Sequence, residues 1–485
     1  MTTSIEPRTH SGLPIGGRWA PAAAGGTREI LNPATGAVLA TVPEGTPEDV
    51  ERAVEAARAA RAEWSRTTPG ERAAVLLALA SVLDANAGEL SALESANAGK
   101  PLGAARDELA MCADALRFFA GAARSLEGKA AGEYLRGYTS MVRREPIGIV
   151  AGIAPWNYPL MMAVWKVGPA LAAGNVQILK PAEQTPLSLL RFLELAGDAI
   201  PAGVLNVVTG EGVGVGAALV AHRDIGLVSL TGDVRTGQTI AREAADSLKR
   251  VHLELGGKAP VVVLADADLD EVAAAVRVAG YWNAGQDCTA GARVIAERSV
   301  YDALLERLVP AVESLHVGDP ADGEHVEMGP VISRAQQARV LGFLDRATSA
   351  GAQLATGGGS GPAAGSFVEP SVVVDVAQDA EIVQREVFGP VVTVQRADDA
   401  EQALEWANDT GYGLSASVFT RDVAQAMDAA RRLEFGVVWI NDHLTPMASE
   451  MPHGGFKQSG YGKDLSLYSL EDYTRVKHVA VKLGR

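Results

Sequence analysis

Two cysteines occur in 485 residues, and one of them stands where a thiol can be exposed. Cys288 lies in Asn283-Ala-Gly-Gln-Asp-Cys-Thr-Ala-Gly291, a polar, turn-like run between a predicted helix and a strand beginning near Ala292. Loops on rigid scaffolds often carry function, and a deprotonated thiol there is a nucleophile. The alternative is a small buried hydrophobe, which is how most free cysteines behave and which suits Cys112 on its apolar helical stretch. Glu254, in His252-Leu-Glu-Leu-Gly-Gly-Lys-Ala-Pro260, is flanked by apolar residues and followed by two glycines. It is either a strand-end carboxylate facing solvent or a general base whose pKa is raised by desolvation. The glycines let backbone approach a ligand closely. Asn157, in Pro155-Trp-Asn-Tyr-Pro159, can offer two N–H groups to a developing oxyanion, or it is an ordinary turn asparagine near a proline. Gly212-Val-Gly-Val-Gly-Ala217 fits a dinucleotide-type glycine pattern, a weak signal in a chain with 52 glycines. Thr231-Gly-Asp-Val-Arg-Thr-Gly237 is better placed, after a strand and opening a helix, where amides can hold a phosphate.

These residues need elements to position them. The first 45 residues read as short strands and turns. A helix begins at Thr46-Pro47-Glu48-Asp49, where Thr46 can cap and Pro47 suits the first turn, with Val50, Val54, Ala57 and Trp64 on one face. A second helix is predicted over Glu71 to Ala96 and a third over Ala105 to Leu126. An exposed hairpin follows over Gly132 to Arg144. From Ile147 strand-like runs at Ile147–Ile153, Val176–Leu179, Val204–Val208 and Gly226–Leu230 alternate with helical stretches. That alternation argues for a parallel sheet covered by helices, with ligands at the carboxyl ends of the strands. A second α/β unit runs from about 254 to 432, with strands near 259–264, 291–296, 391–395 and 415–419. The tail from Val476 to Val481 reads as a strand, which must pair within the chain or with a partner subunit.

The bulk numbers bound the function class. The length calls for two or three domains. A net charge of −16 repels phosphate, so neither nucleic acid nor an anionic membrane is an expected partner. Two cysteines make no disulfide framework, and a reducing, cytoplasmic setting fits. No Cys-x-x-Cys metal cluster is present. Met1 to Ser11 lacks the apolar stretch of a signal peptide, and no run of about 18 apolar residues suggests a membrane span.

Together, these segments resemble the aldehyde dehydrogenase superfamily over nearly the whole chain and in family order. The matching runs are Pro155-Trp-Asn-Tyr-Pro159, Lys166-Val-Gly-Pro-Ala-Leu-Ala-Ala-Gly-Asn175, Leu179-Lys-Pro-Ala-Glu-Gln-Thr-Pro186, Glu254-Leu-Gly-Gly-Lys258, Gly285-Gln-Asp-Cys288, Glu386-Val-Phe-Gly-Pro390 and Pro452-His-Gly-Gly-Phe-Lys-Gln-Ser-Gly460. The resemblance implies an α/β fold. Residues 1–126 and 146–253, with part of 433–470, would form a Rossmann-like NAD-binding domain. Residues 254–432 would form an α/β catalytic domain, and 127–145 with 471–485 a small β oligomerisation segment. It implies that Cys288 is the nucleophile, Glu254 the base that activates the deacylating water, and Asn157 the side-chain half of an oxyanion hole, with Lys166 assisting proton relay. Lys180 and Glu183 would grip the adenosine ribose of NAD, Glu386 and Phe388 would surround the nicotinamide end, and Trp156, Gly232 and Asp233 would fall in the cofactor groove. Asp233 departs from the serine common after this Thr-Gly: it can cap a helix but is anionic near a pyrophosphate, and Arg235 can offset it. No metal is implied. The expected partners are a small aldehyde and other copies of the chain, in a dimer or tetramer.

Within the superfamily the likeness is greatest to bacterial 4-aminobutyraldehyde (gamma-aminobutyraldehyde) dehydrogenases of putrescine breakdown. It is carried by Gly285-Gln-Asp-Cys-Thr-Ala290, Ser449-Glu-Met-Pro-His-Gly-Gly455 and Ser459-Gly-Tyr-Gly-Lys-Asp-Leu-Ser-Leu-Tyr468. An ammonium-bearing substrate is expected to meet carboxylates and aromatic faces. Asp287, Glu450, Asp107 and Glu108 are the candidate carboxylates, the last two being alternatively solvated, and Tyr158, Trp165 and Met111 the candidate walls. Betaine aldehyde and apolar aldehydes are rival substrates. A CoA-acylating enzyme and a catalytically silent binding protein of the same fold are rival functions.

Overall fold

The computed structural model describes residues 8–10, 12–128, 130–362, 364–444 and 447–484; the amino-terminal stretch read for a leader lies largely outside them. Five parallel strands make the first sheet, in the spatial order Leu205–Val207, Val176–Lys180, Ile149–Ile153, Ile225–Gly232, Arg250–Leu255, and Gly460–Tyr461 closes it antiparallel. The chain therefore winds outward one way from Ile149–Ile153 and then the other way from Ile225–Gly232. At such a reversal the two helices leave on opposite faces and a crevice opens at the carboxyl ends of the strands. The loop carrying Asn157 and the turn carrying Gly232 and Asp233 both lie there.

The second sheet has seven strands, ordered Gln353–Thr356, Ser371–Val374, Val391–Ala397, Arg293–Glu297, Pro260–Val263, Ser415–Phe419 and Val437–Ile440, all parallel but the first. Its central strands are buried on both faces, so they are mostly apolar, with few polar residues such as Arg293, Thr393 and Ser417 among them. Val261 and Val263 enter the core beneath helices Leu269–Ala279 and Arg298–Glu313. Val262 and Leu264 enter the one beneath Ala400–Asn408 and Val423–Arg432. Val437–Ile440 belongs to this sheet, so the boundary expected at 432 falls after it, and the chain returns to the first sheet at Gly460–Tyr461.

One expectation changes, and one alternative left open is decided. The stretch Glu71 to Ala96 is not one helix but two, Pro69–Ala85 and Ala87–Ala98, meeting at 77°. Asn86 makes the break: its side-chain amide donates to the Val82 carbonyl at 2.8 Å, which competes with continued helix. The tail strand, here Thr474–Lys482, pairs within the chain, antiparallel to Tyr138–Pro146 along its full length. Gly132–Leu135 flanks the other side. No single described helix is long and apolar enough to cross a membrane.

The returning segment is held by buried charge. Asp464 is fully buried, with Lys166 Nζ at 3.7 Å and His252 Nε2 at 3.2 Å, and Asp472 lies 3.4 Å from the other ring nitrogen of His252. Burial alone would lower the His252 pKa, but Asp464 outweighs it and holds it at about 9 rather than 6.5. Burial would raise Asp464, but Lys166 and His252 hold it at about 2. Removing one partner of a buried pair strands the others uncompensated, at a cost of about 3–5 kcal/mol. Asp464→Asn is therefore expected to lower the urea unfolding midpoint markedly. A raised folded-state pKa gives stability that is present below pH 6.5 and lost as pH rises toward about 9. The wild-type midpoint should decline across that window and the variant's should not; an unchanged midpoint and slope in the variant would remove the cluster's structural role.

Candidate active site

Two cavities meet at one thiol. The first, about 380 Å³, is largely apolar and is walled by Met111, Tyr158, Trp165, Trp282 and Met447 among others. The second, about 410 Å³, is more polar and is bounded by Trp156, Gly232, Asp233, Glu254, Glu386 and Phe388. Cys288, Asn157 and Thr231 line both.

Cys288 stands on a locally strained loop. Asn283 and Ala284 have φ of 50° and 55°. The left-handed region suits asparagine but costs alanine about 1–2 kcal/mol. Side-chain amides hold it: Asn283 Nδ2 donates to the carbonyls of Asn157 (2.9 Å) and Gln286 (3.2 Å), and Gln286 Nε2 donates to Asn283 O at 3.0 Å. Asn157 Nδ2 also donates to Gln286 O at 3.0 Å, which uses one of its two N–H groups. On the next side His443, its pKa lowered by burial, bridges Ser417 Oγ (2.7 Å) and the Thr289 carbonyl (2.8 Å). The Leu-Gly-Gly turn comes as close as backbone can. A Cβ at Gly257 would stand 2.2 Å from the Cys288 carbonyl oxygen, and one at Gly256 2.3 Å from Glu386 Oε2.

Cys288 faces open space on two sides, yet the surrounding protein is dense enough that burial pushes its thiol well up, with the charges of Glu254 and Asp287 adding. Glu254 is 1% exposed, on strand Arg250–Leu255 rather than facing solvent. Neither of its carboxylate oxygens has a hydrogen-bond partner among the described residues, and His453 Nε2 lies 3.4 Å from Oε1. A buried carboxylate with spare acceptor capacity beside a protonated thiol is arranged to take that proton.

The remaining candidates divide. In the polar cavity, Gly257 N–H donates to Glu386 Oε1 at 2.7 Å, and burial pushes that carboxyl up to about 8. Phe388, at φ 59°, meets Trp156 edge-on with ring centres 5.2 Å apart. Asp233 caps helix Val234–Ala245 by accepting from Arg235 N–H at 2.8 Å. Lys180 and Glu183 lie outside both cavities, at and past the end of strand Val176–Lys180. Glu183 Oε1 accepts from Lys180 Nζ (3.0 Å) and Gly212 N–H (2.6 Å). Burial would raise Glu183, but the Lys180 ammonium and these donors hold its pKa low. Lys166 reaches neither cavity: its Nζ donates to Thr231 Oγ1 at 2.7 Å and faces Asp464, so it touches the site only through Thr231.

In the apolar cavity, Asp287 is 7% exposed and accepts from Thr289 N–H and Oγ1 (both 2.7 Å) and from Tyr158 Oη (2.5 Å). Asp107 is exposed and also lines this cavity. Glu108 does not: it is buried against Lys100 and Glu94, neither solvated nor at the wall. Glu450 also lines neither cavity. Its neighbour Ser449 turns inward to donate to Asp114 Oδ2 at 2.6 Å, which leaves Glu450 exposed. His453, Gln336 and Arg339, to which the sequence alone gives no role, also line these cavities, as does Thr231, which opens the turn expected to hold a phosphate. His453 has a signal, as a titratable residue inside the matched Pro452-His-Gly-Gly455 run.

Residues 19–479 match the aldehyde dehydrogenase family. The chain is similar to an aldehyde dehydrogenase of Bacillus cereus solved as an NAD+ complex, at 41% identity and a TM-score of 0.96, covering 98% of this chain and 97% of that one. A point mutant of a B. cereus aldehyde dehydrogenase gives 40% identity and 0.96 over the same shares. The betaine aldehyde dehydrogenase of Staphylococcus aureus, as a point mutant in complex with NAD+, gives 37% identity and 0.96, again over 98% and 97%. With likeness at this level spanning the whole fold, and the thiol set where two cavities join, the chain belongs to the aldehyde dehydrogenase family, oxidoreductases that act on aldehydes.

Proposed function

We propose that the protein is an NAD-dependent aldehyde dehydrogenase that oxidises an ω-aminoaldehyde, best 4-aminobutyraldehyde, to its acid through a thioester on Cys288. The observation that carries this reading is the position of Cys288 on the wall common to an apolar and a polar cavity, beside a carboxylate with no hydrogen-bond partner among the described residues.

The polar cavity suits a dinucleotide by its donor set. The helix capped by Asp233 presents its amino end there. Glu386, largely protonated at neutral pH, offers both donor and acceptor to ribose hydroxyls. Outside that cavity, past the end of strand Val176–Lys180, Glu183 is kept ionised and would accept from a ribose 2′-hydroxyl and repel a 2′-phosphate. When bound, NAD supplies the hydride acceptor.

The chain's own residues do the rest. Glu254 accepts the Cys288 proton, and the thiolate attacks the aldehyde carbon. The free N–H of Asn157, with the Cys288 backbone N–H, stabilises the oxyanion, one such donor being worth roughly 3–4 kcal/mol. Once hydride has left, the acyl group is a thioester on Cys288. Glu254 releases that first proton to solvent and then deprotonates a water that attacks the thioester; the acid departs, and Glu254 returns the water's proton to the Cys288 sulfur. This base is what favours hydrolysis over transfer to CoA.

The apolar cavity supports the amine. Asp287 retains acceptor capacity beyond its three bonds, and Asp107 adds charge. Tyr158, Trp165 and Trp282 supply aromatic faces. Betaine aldehyde is the second reading, favoured by the likeness to the S. aureus enzyme. Its quaternary ammonium donates no hydrogen bond, so only charge and the aromatic walls would select it.

Four outcomes are expected. Cys288→Ala should abolish NADH formation, and Asn157→Ala should cut kcat by about 100–1000-fold; full activity in either removes that residue's role. The kcat/KM for 4-aminobutyraldehyde should exceed those for butanal and betaine aldehyde; parity with butanal ends the amine reading, and a betaine aldehyde maximum selects the second. Glu183→Ser should raise the NADP-to-NAD ratio of kcat/KM, and an unchanged ratio would acquit Glu183.

A further inference from the structure

His453 is not needed by the reaction just described, yet it stands in the middle of its machinery. One donor atom each from Glu254, Cys288 and His453 lie within 4.8 Å of one another. His453 Nε2 and Glu254 Oε1 are 3.4 Å apart. Both Glu254 oxygens lack hydrogen-bond partners among the described residues, and only 1% of the residue's surface is exposed. His453 is held firmly. Its backbone N–H and carbonyl pair with those of Asp464 at 2.9 and 2.7 Å, and its ring meets Trp165 edge-on at 5.4 Å.

We propose that Cys288, Glu254 and His453 form a Zn2+ site that shuts the enzyme reversibly. Thiolate, imidazole and carboxylate together are a borderline-soft donor set, which zinc takes and the hard ions Mg2+ and Ca2+ do not. Tetrahedral zinc with bonds of about 2.0–2.3 Å sets its donors roughly 3.3–3.8 Å apart. The imidazole and carboxylate already stand at that separation, and the sulfur need move by no more than about 1–1.5 Å to complete the set. The fourth position opens on the aldehyde cavity, lined by both Cys288 and His453, where water completes the coordination. Binding replaces the thiol proton: Zn2+ joins the sulfur, the proton passes to solvent, and no electron moves. Because one ion takes up both nucleophile and base, zinc and turnover exclude each other. The site does not depend on which aldehyde the enzyme oxidises.

The test uses the full-length protein stripped of metal, with Zn2+ or Co2+ as the probe. One Zn2+ per chain is expected to bind, to abolish NADH formation and to be reversed by EDTA. Co2+ should produce a thiolate-to-metal absorption band that is absent in Cys288→Ala, a readout that needs no turnover. His453→Phe should weaken Zn2+ binding by more than about tenfold, the loss already typical of removing an outer partner of a metal ligand. Equal Zn2+ affinity in His453→Phe, or a Co2+ band that survives Cys288→Ala, overturns the proposal. Should the phenylalanine variant not fold, wild-type chain decides: Zn2+ must protect Cys288 from iodoacetamide, and unprotected labelling overturns the site.

Discussion

A single buried carboxylate, Asp464, compensates two buried cations. Lys166 comes from the helix after the first strand of the sheet, His252 from the strand that carries Glu254, and Asp464 from a segment more than 200 residues further along the chain. None of the three is tolerable in the interior without the others. Their pairing therefore fixes how the carboxyl-terminal return lies across the sheet, and with it the position of everything on that return. Asp464 pairs its backbone with His453, which places an imidazole beside Glu254. Gly460 pairs with Glu254 itself. Lys166, on the far side, steadies Thr231, which lines both cavities.

The close approaches around Cys288 follow from side chains that are missing as much as from those present. Gly257 leaves room for the Cys288 carbonyl, and Gly256 leaves room for the Glu386 carboxyl. Together they let a strand of the second sheet begin against the loop that carries the thiol. The strain at Ala284 is tolerated because amides of Asn157, Asn283 and Gln286 bond the loop from both sides. Groups from both sheets thus converge, and neither sheet alone holds the site.

Much of this is legible in the sequence, for reasons that differ by element. The first-sheet strands stand out because burial on both faces makes them mostly apolar runs between helices, interrupted by single polar residues such as Gln177, Asn206 and Ser229. The break at Asn86 is hidden because one side-chain hydrogen bond outweighs an otherwise continuous apolar pattern. Cys288, Glu254 and Asn157 each have an ordinary reading when taken singly, and stand out only because their runs match those of the aldehyde dehydrogenase family in order. Glu108 and Glu450 depart from their expected places because a carboxylate in a stretch of chain gives no sign of which way its side chain turns; Lys100 draws one inward and Ser449 leaves the other outside. His453 is visible but silent, since its meaning lies wholly in contacts with residues distant in the chain.

The junction of two cavities at one sulfur also governs traffic. Their apolar and polar walls part on either side of Cys288, with Asn157 and Thr231 between them. A molecule in one chamber does not have to leave for a molecule in the other to arrive. In the proposed reaction, a spent occupant of the polar chamber can thus be exchanged for water while the acyl group stays fastened to the sulfur, so two adjoining chambers let a two-stage reaction be completed without releasing what is half made.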